Sequence, residues 1–316
     1  MLEILAAELK EAIRVKRDIQ GVGRQLGQVA GAGIRLGDDC AAIPDGQGYL
    51  LLAAEAMWPV LVEQEPWLAG WCSIQVNVND IYAMGGHPIA VVDALWGESG
   101  EQIQPLLEGM AACARVYNVP IVGGHTNARS PYNALSVAIL GRATRLISSF
   151  QAQDQDILLM AVDLRGKPHP RYLFWDASRG VDPEQLRGDL EVLPQLAEAG
   201  LCDCGKDISM GGVVGTLLML LETSGCGAVV DLPQIPAPEG IPLARWLCSF
   251  PSYGFILSVR PHQVAQVQPY FAARGLTCAP IGRIQIDRQL ILRLKEEELV
   301  FWDLSHTPLT GFSAHG

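Results

Sequence analysis

The sequence predicts an α/β (α+β) chain built as two domains. Its 316 residues, 49% of them hydrophobic, exceed the usual size of one compact domain and suffice for a large buried core. Short apolar runs of strand length alternate with stretches of helical periodicity, the layout of mixed helix-and-sheet domains. The cycle restarts after Ser148-Ser149, which sets a boundary near residue 150 and divides the chain into residues 1–150 and 151–316.

Taken in order, Leu2, Leu5, Leu9 and Ile13 recur at three-to-four spacing between charged positions and predict an amphipathic helix over 2–15. Residues 20–37 hold six glycines and few large side chains. They read either as a loop whose backbone can approach a ligand or as a plain connector. A buried strand over 49–54 precedes a helix over 66–84, with Pro66 suited to its first turn and Gly85-Gly86 as its stop. Strand 89–95, helix 101–116, strand 119–122, a Gly-Gly turn and strand 134–141 complete the first half. The second half repeats the style with strand 157–162 and helices 183–199 and 212–223. Strand 228–232, a Pro-rich connector over 233–242, strand 255–259 and helix 261–274 follow.

Lys and Arg number 23 against 34 Asp and Glu, a formal net charge of −11. Such a chain has little to drive sequence-independent binding of nucleic acid phosphates. Its acidity is either a solvated surface or a concentrated cation site, and only positions can decide between them. Eight cysteines lack a CxxC pair, and the Cys202-Asp203-Cys204 triplet has no second pair at zinc spacing. The thiols therefore read as reduced and the protein as cytoplasmic. No apolar run approaches the length of a bilayer span, so no membrane partner is expected.

Positions then point to a site. Gly37-Asp38-Asp39 places two adjacent carboxylates, hard oxygen ligands suited to Mg²⁺, between the glycine-rich stretch and a strand. The same residue types also favour turns for local reasons. Glu55 closes the strand over 49–54, where ligands of open α/β sheets collect. In Asn77-Val78-Asn79-Asp80, a spacing of three brings Asn77 and Asp80 to one helix face while Val76, Ile81 and Met84 turn to the core. Neither a P-loop nor a GxGxxG turn offers a rival nucleotide site.

In order and spacing, residues 37–43, 55–63, 79–88 and Gly123-Gly124-His125-Thr126 resemble the motifs of selenophosphate synthetase. Asp207-Ile208-Ser209-Met210-Gly211-Gly212 resembles the motif that opens a second-domain helix in the superfamily it shares with aminoimidazole-ribonucleotide synthetase and thiamine-monophosphate kinase. The resemblance implies an AIR-synthase-like fold and a homodimer paired through the N-terminal sheets. It implies ATP as ligand, with Mg²⁺ held by Asp39, Glu55, Asp80 and Asp207. Gly37, Asp38, Asp39, Gly123, Gly124 and Thr126 would line the nucleotide, and His125 and Asn79 would take catalytic, polar roles; a structural hydrogen-bonding role for His125 stays open. Departures narrow this: residues 18–36 contain neither Cys nor Lys, which argues against selenium chemistry, and His125 and Met210 stand where the kinase carries acids. The expected function is ATP- and Mg²⁺-dependent phosphoryl transfer to a small substrate. Its alternatives are a thiamine-phosphate-kinase-like enzyme and a non-catalytic nucleotide-binding homologue.

Overall fold

The computed structural model describes residues 2–26, 33–251 and 254–312; residues 27–32 of the expected glycine-rich loop lie outside the described residues. The chain opens with α1 (Leu2–Ile13), a 3₁₀ turn (Arg14–Ile19) and α2 (Gln20–Leu26). The strands β1 (Ala41–Asp45) and β2 (Gly48–Ala56) lead to helices α3 (Pro59–Gln64) and α4 (Pro66–Ala83). Then come β3 (His87–Trp96), α5 (Gly100–Tyr117), β4 (Ile121–Asn127) and β5 (Ala134–Ala143). The remainder holds β6 (Ile157–Val162), β7 (Lys167–Pro168), β8 (Trp175–Asp176), α6 (Pro183–Leu190), α7 (Val192–Glu198), β9 (Cys204–Asp207) and α8 (Gly212–Ser224). It closes with β10 (Gly227–Asp231), α9 (Leu243–Leu247), β11 (Gly254–Val259), α10 (Val264–Ala272), β12 (Thr277–Gln285), β13 (Gln289–Leu294) and β14 (Glu297–Asp303).

Two compact units form, each gathering more than one segment of the chain. One comprises Met1–Asp38, Leu146–Val181 and Gln195–Gly316; the other comprises Asp39–Arg145 and Asp182–Pro194. The crossing at Arg145 falls close to the expected boundary, but the two ends of the chain share a unit for a packing reason. Leu2, Ala6, Leu9 and Ile13 of α1 are buried in one core with α8 and with Phe301 of β14. Residues 182–194 join the other unit because α6 is fastened there: Arg187 donates to Val116 O at the end of α5 (2.6 Å), and Glu191 meets His87 Nε2 at 3.0 Å.

The first-named unit is built on a seven-stranded sheet in the order β14-β13-β10-β12-β6-β11-β9. Its ladders are antiparallel except for β10 with β13. α8 is buried from Gly212 to Thr223, as a helix so rich in apolar residues must be. The turn into it needs glycine: Gly211 and Gly212 have φ of 101° and 64°, and a Cβ on Gly212 would stand 2.1 Å from Leu247 O.

The other unit carries a five-stranded sheet in the order β1-β2-β5-β3-β4, antiparallel except for β3 with β4. α4 lies against one face of it, where Ile81 fills the space above Gly141, and α5 packs on α4. Two glycines allow that helix pair to touch backbone to backbone. A Cβ on Gly70 would stand 2.1 Å from Leu106 O, and one on Gly109 would stand 2.0 Å from Trp67 O.

Several elements depart from the expected ones for identifiable reasons. The single helix expected over 183–199 is two, since Pro194 cannot donate to the helical ladder and its ring clashes with the carbonyl of Leu190. Residues 20–26 of the expected loop form α2 in spite of their glycines. The expected Gly-Gly turn at 123–124 is strand, drawn into β4 by its parallel register on β3.

Gly109→Ala tests the helix contact. Its methyl group has no room beside a backbone carbonyl, so chemical denaturation should show a loss of about 3 kcal/mol. An unchanged midpoint would mean that α4 and α5 can move apart freely.

Candidate functional site

Asp39 and Asp80 belong to the same unit, and each offers a carboxylate oxygen within 4.8 Å of the other's. Asp80 is held by α4, a helix buried from Leu68 to Ala83 and started by Pro66 at its first turn. Asp39 immediately precedes buried Cys40 at the entry to β1. Two carboxylates this close repel unless a cation or a proton lies between them, and their oxygens are the hard donors that Mg²⁺ takes. Asn77, one helical turn before Asp80, is fully buried; its Nδ2 donates to Ser73 O at 2.8 Å, while its Oδ1 accepts no hydrogen bond among the described residues. A buried acceptor left so costs about 1–3 kcal/mol, which a helix under selection for stability alone would shed. The two carboxylates, as hard oxygen donors, fit a divalent cation.

The other expected residues are distributed as follows. Asn79 is buried on α4 beside Asp80. Asp38 has its carboxylate engaged locally: Ser148 Oγ donates to it at 2.6 Å and the Ser149 N–H at 3.1 Å. Gly37, with φ 115°, forms the bend that precedes it. Glu55 is exposed at the end of β2 and is not within 4.8 Å of both Asp39 and Asp80. Asp207 belongs to the other unit, where it is buried at the end of β9 opposite Phe255.

Strand register sorts the Gly-Gly-His-Thr motif onto two faces. Glu55, Val137, Asp93 and Gly124 form one cross-strand row, on the face that α4 covers, and Thr126 shares that face through Leu95. His125 falls in the alternate row with Ala94, Ser136 and Ala56, on the face turned away from α4. The register thus does not bring His125 to the Asp39 and Asp80 pair, and its ring has no hydrogen-bond partner among the described residues. That away-facing surface is apolar: Leu52, Val92 and Leu140 are all exposed on it.

Asp93 is a residue that the sequence reading passed over, although a carboxylate inside the apolar run of β3 was the available signal. Its Oδ2 lies 2.4 Å from where a Cβ of Gly124 would stand, so the glycine makes room for the acid. Burial pushes the Asp93 carboxyl above the usual range, partly offset by a backbone hydrogen bond. Among the described residues no helix is long and apolar enough to cross a membrane.

Residues 37–143 match the family model of the AIR synthase related protein, N-terminal domain, and residues 160–295 that of its C-terminal domain. The uncharacterised protein sll0787 of Synechocystis sp. is 55% identical over 99% of both chains. Thiamine-monophosphate kinase of Pyrococcus horikoshii is 26% identical, over 65% of this chain and 69% of its own. The phosphoribosylformylglycinamidine synthase subunit PurL of Nitrobacter winogradskyi is also 26% identical, over 78% of this chain, which spans only 36% of that protein's length. Among solved structures, AaThiL complexed with AMPPCP and TMP superposes with a TM-score of 0.68 at 17% identity, over 87% of this chain and 94% of that one. T. maritima PurL complexed with ADP gives 0.71 at 18%, over 88% and 46%.

Asp93→Asn should raise thermal stability at neutral pH. A carboxyl whose pKa is raised by folding favours the native state only while protonated; that advantage is lost as pH rises from the unfolded value through the raised one. The amide removes the penalty, so the gain over the parent should vanish in melts run below about pH 4. A gain of equal size at both pH values would rule out desolvation as its cause.

Proposed function

Because the chain belongs to the AIR synthase related protein family, matching models of both its domains, we propose that it binds ATP with Mg²⁺ and transfers the terminal phosphoryl group to an oxygen of a small substrate. The observation that carries this reading is the Asp39 and Asp80 pair, two carboxylates held within 4.8 Å inside the matched N-terminal region. Relatives solved with ADP or with AMPPCP and TMP support the nucleotide half of it.

In this reading Asp39 and Asp80 hold the cation. Bound Mg²⁺ supplies charge neutralisation to a triphosphate that a chain of net charge −11 would otherwise repel. Phosphoryl transfer needs no covalent nucleophile from the protein, so the remaining residues act by positioning. Asn77 and Asn79 offer amide groups from the same buried helix as Asp80. Gly124 and Thr126 present backbone and hydroxyl on the sheet face that also bears Asp93 and Glu55. Asp38 braces the acidic motif through Ser148 and Ser149. His125, on the opposite face, we assign to the pairing surface of a homodimer, which would cover Leu52, Val92 and Leu140.

Two experiments test the reading. At a Mg·ATP concentration about a hundred times its Kd, linkage adds about 2.7 kcal/mol, a rise of roughly 5 °C in Tm. Asp80→Asn should melt no lower than the parent without ligand, since it relieves the repulsion with Asp39, and should lose that rise; a full shift in the variant would remove Asp80 from the cation site. For pairing, Leu140→Arg should convert a dimer to a monomer in sedimentation across a dilution series. A parent that sediments as a monomer at micromolar concentration would refute the pairing surface.

A further inference from the structure

Glu222 near the end of α8 takes no part in the site described above, and it is 2% exposed. Its carboxylate accepts from the backbone N–H groups of Leu309 (2.8 Å), Thr310 (2.7 Å) and Gly311 (3.2 Å), and from the Thr310 hydroxyl (2.5 Å). A buried carboxylate satisfied by four donors makes a strong, charge-assisted clamp. Gln20 fastens the same stretch from α2, where its Nε2 donates to Pro308 O at 2.8 Å and Leu309 O at 2.9 Å. The path of residues 308–311 is therefore fixed from two sides.

The next residue is Phe312, and the clamp delivers it to two glycines. A Cβ on Gly23 would stand 2.7 Å from the Phe312 ring, and a Cβ on Gly37 would stand 2.6 Å from Phe312 Cβ. Gly37 is also bent to φ 115°, a conformation that side chains with a Cβ rarely adopt. Its successors are Asp38, anchored by Ser148 and Ser149, and then Asp39. One aromatic side chain thus abuts both α2 and the bend from which the acidic motif departs.

We propose that Phe312, set in place by the Glu222 clamp, is a positioning residue for the acidic motif. It packs where Gly37 lacks a side chain and so fixes the turn that presents Asp38 to the two serines and leads the chain into Asp39. Without the ring, the bend keeps its glycine freedom, and ordering it becomes part of the cost of binding. The consequence for Mg·ATP rests on the function proposed above, whereas the consequence for the bend does not.

The test compares the full-length parent with Phe312→Ala and Phe312→Leu by amide hydrogen exchange without ligand, and by Mg·ATP titration calorimetry. In Phe312→Ala, exchange over residues 33–40 should accelerate and Mg·ATP affinity should fall by roughly tenfold, as expected when a binding segment must be ordered on association. Phe312→Leu, which keeps apolar bulk at the bend, should restore most of both, while the melting of all three proteins stays close. Unchanged exchange over 33–40 in Phe312→Ala overturns the proposal. So does accelerated exchange with unchanged Mg·ATP affinity, since the bend would then be held without serving the motif. A parent that binds no Mg·ATP overturns the ATP reading instead, and the exchange comparison alone then decides whether Phe312 holds the bend.

Discussion

The contact on which the candidate site depends is the close approach of α4 and α5 at Gly70 and Gly109. Each glycine faces a main-chain carbonyl of the other helix at a distance that leaves no room for a methyl group. With α5 pressed on one side and the sheet on the other, α4 has no solvent face over most of its length. A helix in that position would ordinarily be apolar throughout. It nevertheless carries Asn77, Asn79 and Asp80 within one turn, and the helix contact holds these polar side chains on a rigid element, as the proposed cation site requires.

Several glycines prove to have steric reasons that precede any ligand. Gly124 leaves space for the Asp93 carboxylate, and Gly141 leaves space for Ile81. In the other unit Gly212 leaves space for the backbone at Leu247. A glycine in a nucleotide-associated motif invites the assumption that backbone approaches phosphate. Here, at the motif glycines Gly124 and Gly212, the neighbour that excludes a side chain is the protein itself.

Much of this was legible in the sequence, and the exceptions share a cause. Strong periodicity located α1, α4, α5 and α8, because each shows either one apolar stripe or a long apolar run. The strands β9, β12, β13 and β14 were not anticipated: their residues alternate weakly, and Pro280 and Gly282 interrupt β12 at a bulge. Asp80 and Asp39 were readable as candidate acidic residues from residue type and order, and their carboxylates do lie close together. The separation of His125 from them was not readable, since it follows from a bulge opposite Val91 and Val92 that sets which residues of β4 face which side. Nor could composition reveal that the first 38 residues belong with the last hundred.

That shared unit governs the order in which the protein can be assembled. Residues 39–145 lie in one continuous stretch and hold all five strands of their sheet, so their contacts can form as soon as they are made. The other unit waits. Leu2 N reaches Glu297 Oε2 across nearly the whole sequence, and α1 packs on β14, a strand about three hundred residues away. Until β14 is synthesised, the apolar stripe of α1 has no complete core to enter, and Leu2, Leu9 and Ile13 remain available to other apolar surfaces. During synthesis, chaperone binding and aggregation risk should concentrate at this amino-terminal helix.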